Sequence, residues 1–203
     1  MILIDGSQGE GGGQIVRTAV GLAAALGKAV RITAIRAGRP KPGLRAQHLA
    51  AVRAAATVCG GTLQGDRSGS TELTFQPGPV RPGRYAFDVG TAGSTVLVLQ
   101  TVLPALMLAE GDSELTVRGG THNPMAPCFE YLGDVFAVLA SAMNLQAYFE
   151  MRRAGFYPAG GGEVTMHLRG VGGAEGVAPL RLASRGALRG IEGLSAVSAS
   201  LSA

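Results

Sequence analysis

Two cysteines in 203 residues, Cys59 and Cys128, exclude a disulfide-built scaffold and point to a reducing compartment. Charge is also scarce. Asp, Glu, Lys and Arg make up 16% of the chain, against about 25% in an ordinary globular protein. With 46% hydrophobic residues, that balance excludes an intrinsically disordered chain. No heptads run through the sequence and no strict Gly-X-Y period, so neither a coiled coil nor a collagen-like helix is expected. The first residues, Ile2-Leu3-Ile4-Asp5, show no basic segment followed by a long apolar core, so no signal peptide is read and a cytoplasmic protein is expected. The uncharged stretch from Ala92 to Ala109 reaches only the lower edge of a membrane span. It carries Ser94, Thr95, Gln100, Thr101 and Pro104, has no basic flank, and reads as a buried core helix, with no membrane partner. Gly-Lys-Ser/Thr of a P-loop is absent, as are a Ser-His-Asp order and a zinc-ligand spacing.

Glycine is what the chain has in excess: 32 of 203 residues, roughly twice the usual share. Arginine comes next, with 16 of the 18 cationic residues. The net charge of +4 is unevenly spread. Residues 1–53 hold eight cations (Arg17, Lys28, Arg31, Arg36, Arg39, Lys41, Arg45 and Arg53) against Asp5 and Glu10. GC-rich codon usage accounts for much of the arginine count but not for its clustering. A basic first quarter implies an anionic partner such as nucleotide or RNA, and the planar guanidinium suits phosphate.

The sequence repeats itself. Leu3-Ile4-Asp5-Gly6 is answered by Ala86-Phe87-Asp88-Val89-Gly90, with the two aspartates 83 positions apart. Ile35-Arg36-Ala37-Gly38 is answered by Val117-Arg118-Gly119-Gly120, and Pro42 by Pro124, both 82 positions on. Apolar runs and Gly/Pro punctuation predict helices at 13–26, 44–59, 93–109 and 127–142. Around them, strands are predicted near residues 3–5 and 86–89, and at 30–36, 62–65, 71–76, 114–118, 145–151 and 163–168. The fold class is therefore mixed α/β (α+β), built as βαβαββ twice: residues 1–79, then 80–170. Residues 171–203 read as a linker and the start of an incomplete third repeat or of an inserted domain, with new strands at 180–182 and 190–194.

Four segments carry candidate chemistry. Asp5 to Gln14 is a glycine-rich turn between strand and helix, where backbone amides can approach a phosphate. Its glycine spacing is not that of a dinucleotide fingerprint. Glu10 stands there as a lone carboxylate, equally suited to Mg²⁺ beside substrate phosphates and to a helix N-terminus. Arg17, one turn into the helix, points to the same mouth. Arg36 to His48 gathers cations at the start of a helix and is read as a phosphate site, with Gln47 and His48 in its first turns. Gly119 to Cys128 is the repeat partner without the cations. His122 and Cys128 are imaginable as a nucleophile pair or as metal ligands, but a rigid polar loop is the simpler reading. Gly155 to Val164 reads as a turn before a strand, and His167 as a solvent-facing strand residue.

These segments together resemble the RNA 3′-terminal phosphate cyclase family. The resemblance is carried by Asp5-Gly6 through Gly13-Gln14, Ile35 to Arg39, Lys41 to Leu44 and Gln47-His48. It continues through Gly90 to Ser94, Leu99 to Pro104, Gly119 to Pro124 and Gly155-Phe156-Tyr157-Pro158-Ala159-Gly160-Gly161-Gly162. One local departure is Ala154, where the family has Arg or His. The resemblance implies a cyclase/enolpyruvyl-transferase-like fold. It implies a ligase that uses ATP to turn an RNA 3′-phosphate into a 2′,3′-cyclic phosphate, through AMP carried on a histidine. Glu10 matches a position for Mg²⁺ or Mn²⁺. Arg17, Arg36, Arg39, Gln47 and His48 match positions around phosphates, and Gln100 a nucleotide-binding glutamine.

Family members are longer, and their adenylylated histidine lies in a C-terminal part that this chain lacks. None of His48, His122 or His167 matches it, so no catalytic nucleophile is expected here and the 203 residues alone are expected to be inactive. A non-catalytic cyclase-like ribosome-assembly factor that binds RNA, and an enolpyruvyl transferase, are the alternatives. Retention of Glu10 and the cations favours the enzyme over the scaffold, and the Phe156–Gly162 block disfavours the transferase.

Overall fold

A computed structural model describes residues 1–197 of the chain. The first half runs β1 (Ile2–Asp5), α1 (Gly13–Leu26), β2 (Val30–Thr33), α2 (Ala46–Cys59), β3 (Thr62–Gln64) and β4 (Leu73–Gln76). The second runs β5 (Arg84–Asp88), α3 (Thr95–Leu108), β6 (Glu110–Gly119), a π-helix (Tyr131–Ala137) continued by α4 (Val138–Ala142), β7 (Gln146–Arg153) and β8 (Gly162–Val171). The protein is mixed α/β with two mixed sheets. One sheet has the order β1-β2-β4-β3 and the other β5-β6-β8-β7. In each, the first two strands are parallel and the remaining pairs antiparallel.

Local chemistry sets the element ends. Helix α1 starts at the Gly12-Gly13 pair and stops at Gly27, which takes the left-handed conformation that terminates helices (φ 62°). Helix α2 stops in the same way at Gly60 (φ 58°). After each leading strand an aspartate closes a tight turn: Asp5 Oδ1 accepts from the Ser7 amide (2.9 Å), and Asp88 Oδ1 from the Gly90 amide (2.7 Å).

Helices α1 and α2 pack on the first sheet, α3 packs on β6 and β8, and the three helices pack on one another, so a helical layer separates the sheets. Eleven of the fourteen residues of α3 are buried, which explains its uniformly apolar sequence. Ser94 caps its N-terminus by accepting from the Leu97 amide (3.3 Å). At the crossing of α1 and α3, a Cβ on Gly21 would lie 2.6 Å from the Thr101 carbonyl oxygen, so only glycine lets the two backbones approach this closely. Phe75, Ile32, Leu99, Leu106, Leu115 and Met166 fill the interior on either side of this layer.

Three sequence expectations need correction. Strand β2 ends at Thr33 rather than residue 36, because Ala34 (φ 51°) and Arg36 (φ 55°) adopt left-handed backbone and turn the chain. The fourth helical segment begins at Phe129 rather than residue 127 and turns into a π-helix at Tyr131. Pro127 supplies no amide hydrogen and disfavours helical backbone at Ala126. No strand forms at 180–182 or 190–194: these residues lie exposed, Leu182, Ile191 and Leu194 included, with no neighbouring ladder to bond their backbone groups. The segment 171–203 begins against the body of the fold, where the Ala178 amide donates to the Met143 carbonyl (2.9 Å). Its last six residues lie outside the described residues.

Candidate active site

A cleft of about 910 Å³ opens between the two halves. One wall comes from the first half and carries Glu10, Arg17, Arg36, Arg39, Gln47 and His48. The sequence places these six in three separate segments, and the fold brings them to one surface. The other wall comes from the loops at 91–93, 123–126 and 157–158 of the second half.

The cationic wall is built from helix starts. Helix α1 begins at Gly13 after a glycine cap with no side-chain hydrogen bond, and no acidic residue stands in its first turn. Its free amides therefore face the cleft, as does the positive end of its dipole. Helix α2 starts at Ala46 and likewise has no acid in its first turn. Arg36 is anchored: its guanidinium donates to the carbonyls of Lys41 (2.7 Å) and Gly43 (2.8 Å), which fixes the loop between β2 and α2. Arg39 donates to Glu10 (2.9 Å) along the same wall. That pair is exposed and contributes little to stability. Arg17 has no ion-pair or hydrogen-bond partner among the described residues. Burial lowers its pKa, and burial followed by repulsion from Arg45 and Arg39 lowers that of Arg36.

His48 is buried behind these cations and its pKa is pushed down to about 4, first by burial and then by Arg17, Arg36 and Arg45. Its Nδ1 accepts from the Arg45 backbone amide (3.0 Å), so in the neutral ring the proton sits on Nε2. Nε2 lies beside Gly13 at the start of α1. His48 is thus a neutral donor that adds to the hydrogen-bonding capacity of the wall without adding charge. The depressed pKa has a consequence for stability. Between pH 4 and 6.5 the unfolded histidine binds a proton that the folded one refuses. The contribution is therefore complete above pH 6.5 and is lost as pH falls towards 4, by about 3 kcal/mol in total. Urea unfolding of the ligand-free chain across that range is expected to show this slope, and His48→Gln to remove it.

Gln47 joins the two walls: its Oε1 accepts from the Ser94 amide at the start of α3 (3.2 Å). Gln100 does not line the main cleft. It lies with Gln14, Arg17, Thr18 and Thr101 on a smaller cleft of about 170 Å³ between α1 and α3, and Arg17 borders both. His122 stays outside the main cleft. Its ring is held between the Thr121 hydroxyl (2.8 Å) and the Glu130 carboxylate (3.0 Å) and stacks on Phe156. Cys59 is buried and Cys128 exposed. His167 is half-exposed on the second sheet, 3.5 Å from Glu114.

Among the described residues no group of three His, Cys, Asp or Glu side chains gathers to hold a metal. A lone carboxylate at the edge of a cationic wall has the chemistry to suit a divalent ion whose other ligands are phosphate oxygens and water. Glu10 fits that arrangement, and Arg39 beside it would have to release the carboxylate. No helix among the described residues is long and apolar enough to cross a membrane.

The second wall has no signal in the sequence of either of its loops. Asn123, Met125, Tyr157 and Pro158 stood in segments read as rigid turns, and nothing in either segment alone shows that they meet. They meet because the Thr121 amide donates to the Gly155 carbonyl (2.7 Å), pairing the two loops.

The family model described as RNA 3′-terminal phosphate cyclase matches residues 8–186. The chain belongs to the RNA 3′-terminal phosphate cyclase family. Relatives of that name from Nostoc sp. and Ralstonia nicotianae are 50% and 51% identical over 201 and 192 residues. Those alignments cover 96% and 95% of this chain but 57% and 55% of the relatives, so the chain spans little over half their length. An EPSP synthase structure from Acinetobacter baumannii aligns with 83% of this chain and 30% of its own, at 16% identity and a TM-score of 0.47. Of the seven positions singled out through the cyclase resemblance, six line the main cleft and Gln100 lies in the smaller one beside it.

Proposed function

We propose that this chain supplies the phosphate-binding part of an ATP-dependent RNA 3′-terminal phosphate cyclase, a ligase of the cytoplasm acting on RNA 3′-phosphate ends. The observation that carries this reading is the convergence of Arg17, Arg36, Arg39, neutral His48 and the uncapped start of α1 on one cleft. Such a surface stabilises the charge that collects on phosphoryl oxygens during group transfer.

In the proposed reaction a histidine nitrogen attacks the α-phosphorus of ATP and pyrophosphate leaves. AMP then passes from the histidine to the RNA 3′-phosphate. The neighbouring 2′-hydroxyl, losing its proton, attacks that phosphorus and expels AMP, leaving the 2′,3′-cyclic phosphate. Arg17, Arg36, Arg39 and His48 would bind and orient the phosphates, and Gln47 would hold the two walls together. Glu10, with substrate phosphates, would hold Mg²⁺ or Mn²⁺, which would neutralise phosphate charge. Gln100 would contact the nucleotide from the smaller cleft. The cyclase resemblance puts the nucleophilic histidine in sequence outside these 203 residues: none of His48, His122 and His167 matches it, and here His48 is a buried donor and His122 is clamped between Thr121 and Glu130. The domain reading goes with this proposal: residues 1–79 and 80–170 as tandem units of a cyclase/enolpyruvyl-transferase-like fold, and 171–203 as the linker towards a third.

Incubation with ATP labelled at the α-phosphate, followed by denaturing gel analysis, tests the division of labour. The chain alone is expected to bind ATP but to carry no label. A histidine-linked AMP band would overturn the assignment. Failure of the full-length protein to bind ATP at all would favour the RNA-binding scaffold.

A further inference from the structure

The second wall of the cleft differs in kind from the first. The cationic wall is made of guanidinium groups, a histidine and backbone amides. Facing it, Met125 is 93% exposed and Tyr157 is 65% exposed, beside Pro124 and Pro158. Large apolar side chains held this far into water at the rim of a polyanion cleft have no role in the core. Met125 also sits on left-handed backbone (φ 62°), which an unbranched non-glycine residue adopts only against a steric cost. Both loops are rigidly founded: the Thr121 hydroxyl donates to the Gly155 carbonyl (3.3 Å) and accepts from its amide (2.9 Å), and Phe156 stacks on His122. The exposed ring therefore stands on a fixed base.

We propose that Tyr157, flanked by Met125 and Pro158, is a stacking platform for the terminal nucleobase of an RNA whose 3′-phosphate lies on the Arg36–Arg39–His48 wall. The inference rests on the cyclase reading and extends it to a subsite. A phosphate wall alone does not distinguish an RNA end from any other polyanion. An aromatic face opposite the cations does, because single-stranded RNA presents an unstacked base next to its terminal phosphate. Every base has a π-face, so the platform accepts all four bases. Sequence indifference follows from the same geometry, since the exposed surfaces of Tyr157, Met125 and Pro158 offer few groups to read a base edge. ATP also carries a base beside phosphates. The smaller cleft with Gln100 shares Gln14 and Arg17 with the main cleft but not Tyr157, which leaves the tyrosine rim to the RNA end.

Equilibrium titration of the chain decides the matter with four probes: a short RNA ending in a 3′-phosphate, the same RNA with an abasic terminal nucleotide, ATP, and inorganic tripolyphosphate. Tyr157→Ala is expected to weaken the intact RNA by about tenfold to a hundredfold, the range for losing one base–aromatic stack. Tyr157→Phe is expected to restore most of that affinity, and the intact chain to bind the abasic RNA as weakly as Tyr157→Ala binds the normal one. Affinities for ATP and tripolyphosphate are expected to be unmoved by Tyr157→Ala.

Equal binding of intact and abasic RNA by the unmodified chain would overturn the proposal. A loss of tripolyphosphate affinity in Tyr157→Ala would do so too, because the tyrosine would then only shape the cationic wall. A loss for ATP but not for RNA would assign the stacked base to the nucleotide and reject the RNA end. If the unmodified chain binds none of the four probes, the cyclase reading itself falls and the subsite with it.

Discussion

Arg17→Met is expected to raise the thermal stability of the chain while removing most of its affinity for polyphosphate. Arg17 projects from the second turn of α1 into the cleft, with no carboxylate or carbonyl partner among the described residues, and burial lowers its pKa. Arg36 and His48 border the same space. The folded state thus holds a partly desolvated cation with no opposite charge beside it among the described residues. Methionine keeps much of the aliphatic stem and removes the charge, which is stabilising when no partner charge is left behind. A gain of about 1 kcal/mol corresponds to about 2–4 °C for a chain of this size. The same change deletes a charge-assisted donor from the wall, which costs about 2–3 kcal/mol of anion binding, or roughly 30- to 150-fold in affinity. Differential scanning calorimetry and ATP or tripolyphosphate titration read the two effects separately. A stability loss together with unchanged affinity would show that Arg17 serves the fold rather than the ligand.

What was readable in the sequence is what local signals set, and what was not depends on contacts between distant segments. Helix α1 was placed at its observed ends because Gly12-Gly13 and Gly27 mark both ends locally. Burial of α3 on nearly all sides was readable from its uncharged, uniformly apolar stretch. The cationic wall was also readable, since arginines at helix starts are a local signal of anion binding. The Tyr157 wall was not. Its members come from loops some 30 residues apart that are joined by contacts of Thr121 and His122 with Gly155 and Phe156, and neither loop has a helical or strand period. The strands read at 180–182 and 190–194 failed for the opposite reason. Their apolar residues carry strand preference, but a strand exists only with a neighbour to bond, and none lies beside them among the described residues. Gln100 shows an intermediate case: its helix was placed correctly, but which of two clefts it enters depends on how α1 and α3 cross.

Gly13→Ala is expected to damage the site more than any other single methyl group in the chain. By helix propensity alone alanine should be favoured there by up to about 1 kcal/mol, since Gly13 is a helical residue with ordinary negative φ. Tertiary geometry reverses the sign. A Cβ at Gly13 would lie 2.0 Å from His48 Nε2, 2.7 Å from its Cδ2 and 2.9 Å from a terminal guanidinium nitrogen of Arg17. Arg17 can swing aside, but His48 is buried and fixed through Nδ1 to the Arg45 amide. The ring must therefore tilt and give up that bond, or the start of α1 must move away from α2. Either response disturbs the amides, His48 and Arg17 together, because all three converge on the position glycine leaves open. Overpacking of this kind costs about 1–3 kcal/mol of stability. Polyphosphate affinity is expected to fall by roughly a hundredfold, as two charge-directed donors lose their aim. Gly13→Ala combined with His48→Ala relieves the clash, so the pair is expected to be more stable than Gly13→Ala alone while binding remains weak. Failure of the second substitution to recover stability would place the glycine requirement in the backbone turn before α1 rather than in the packing against His48.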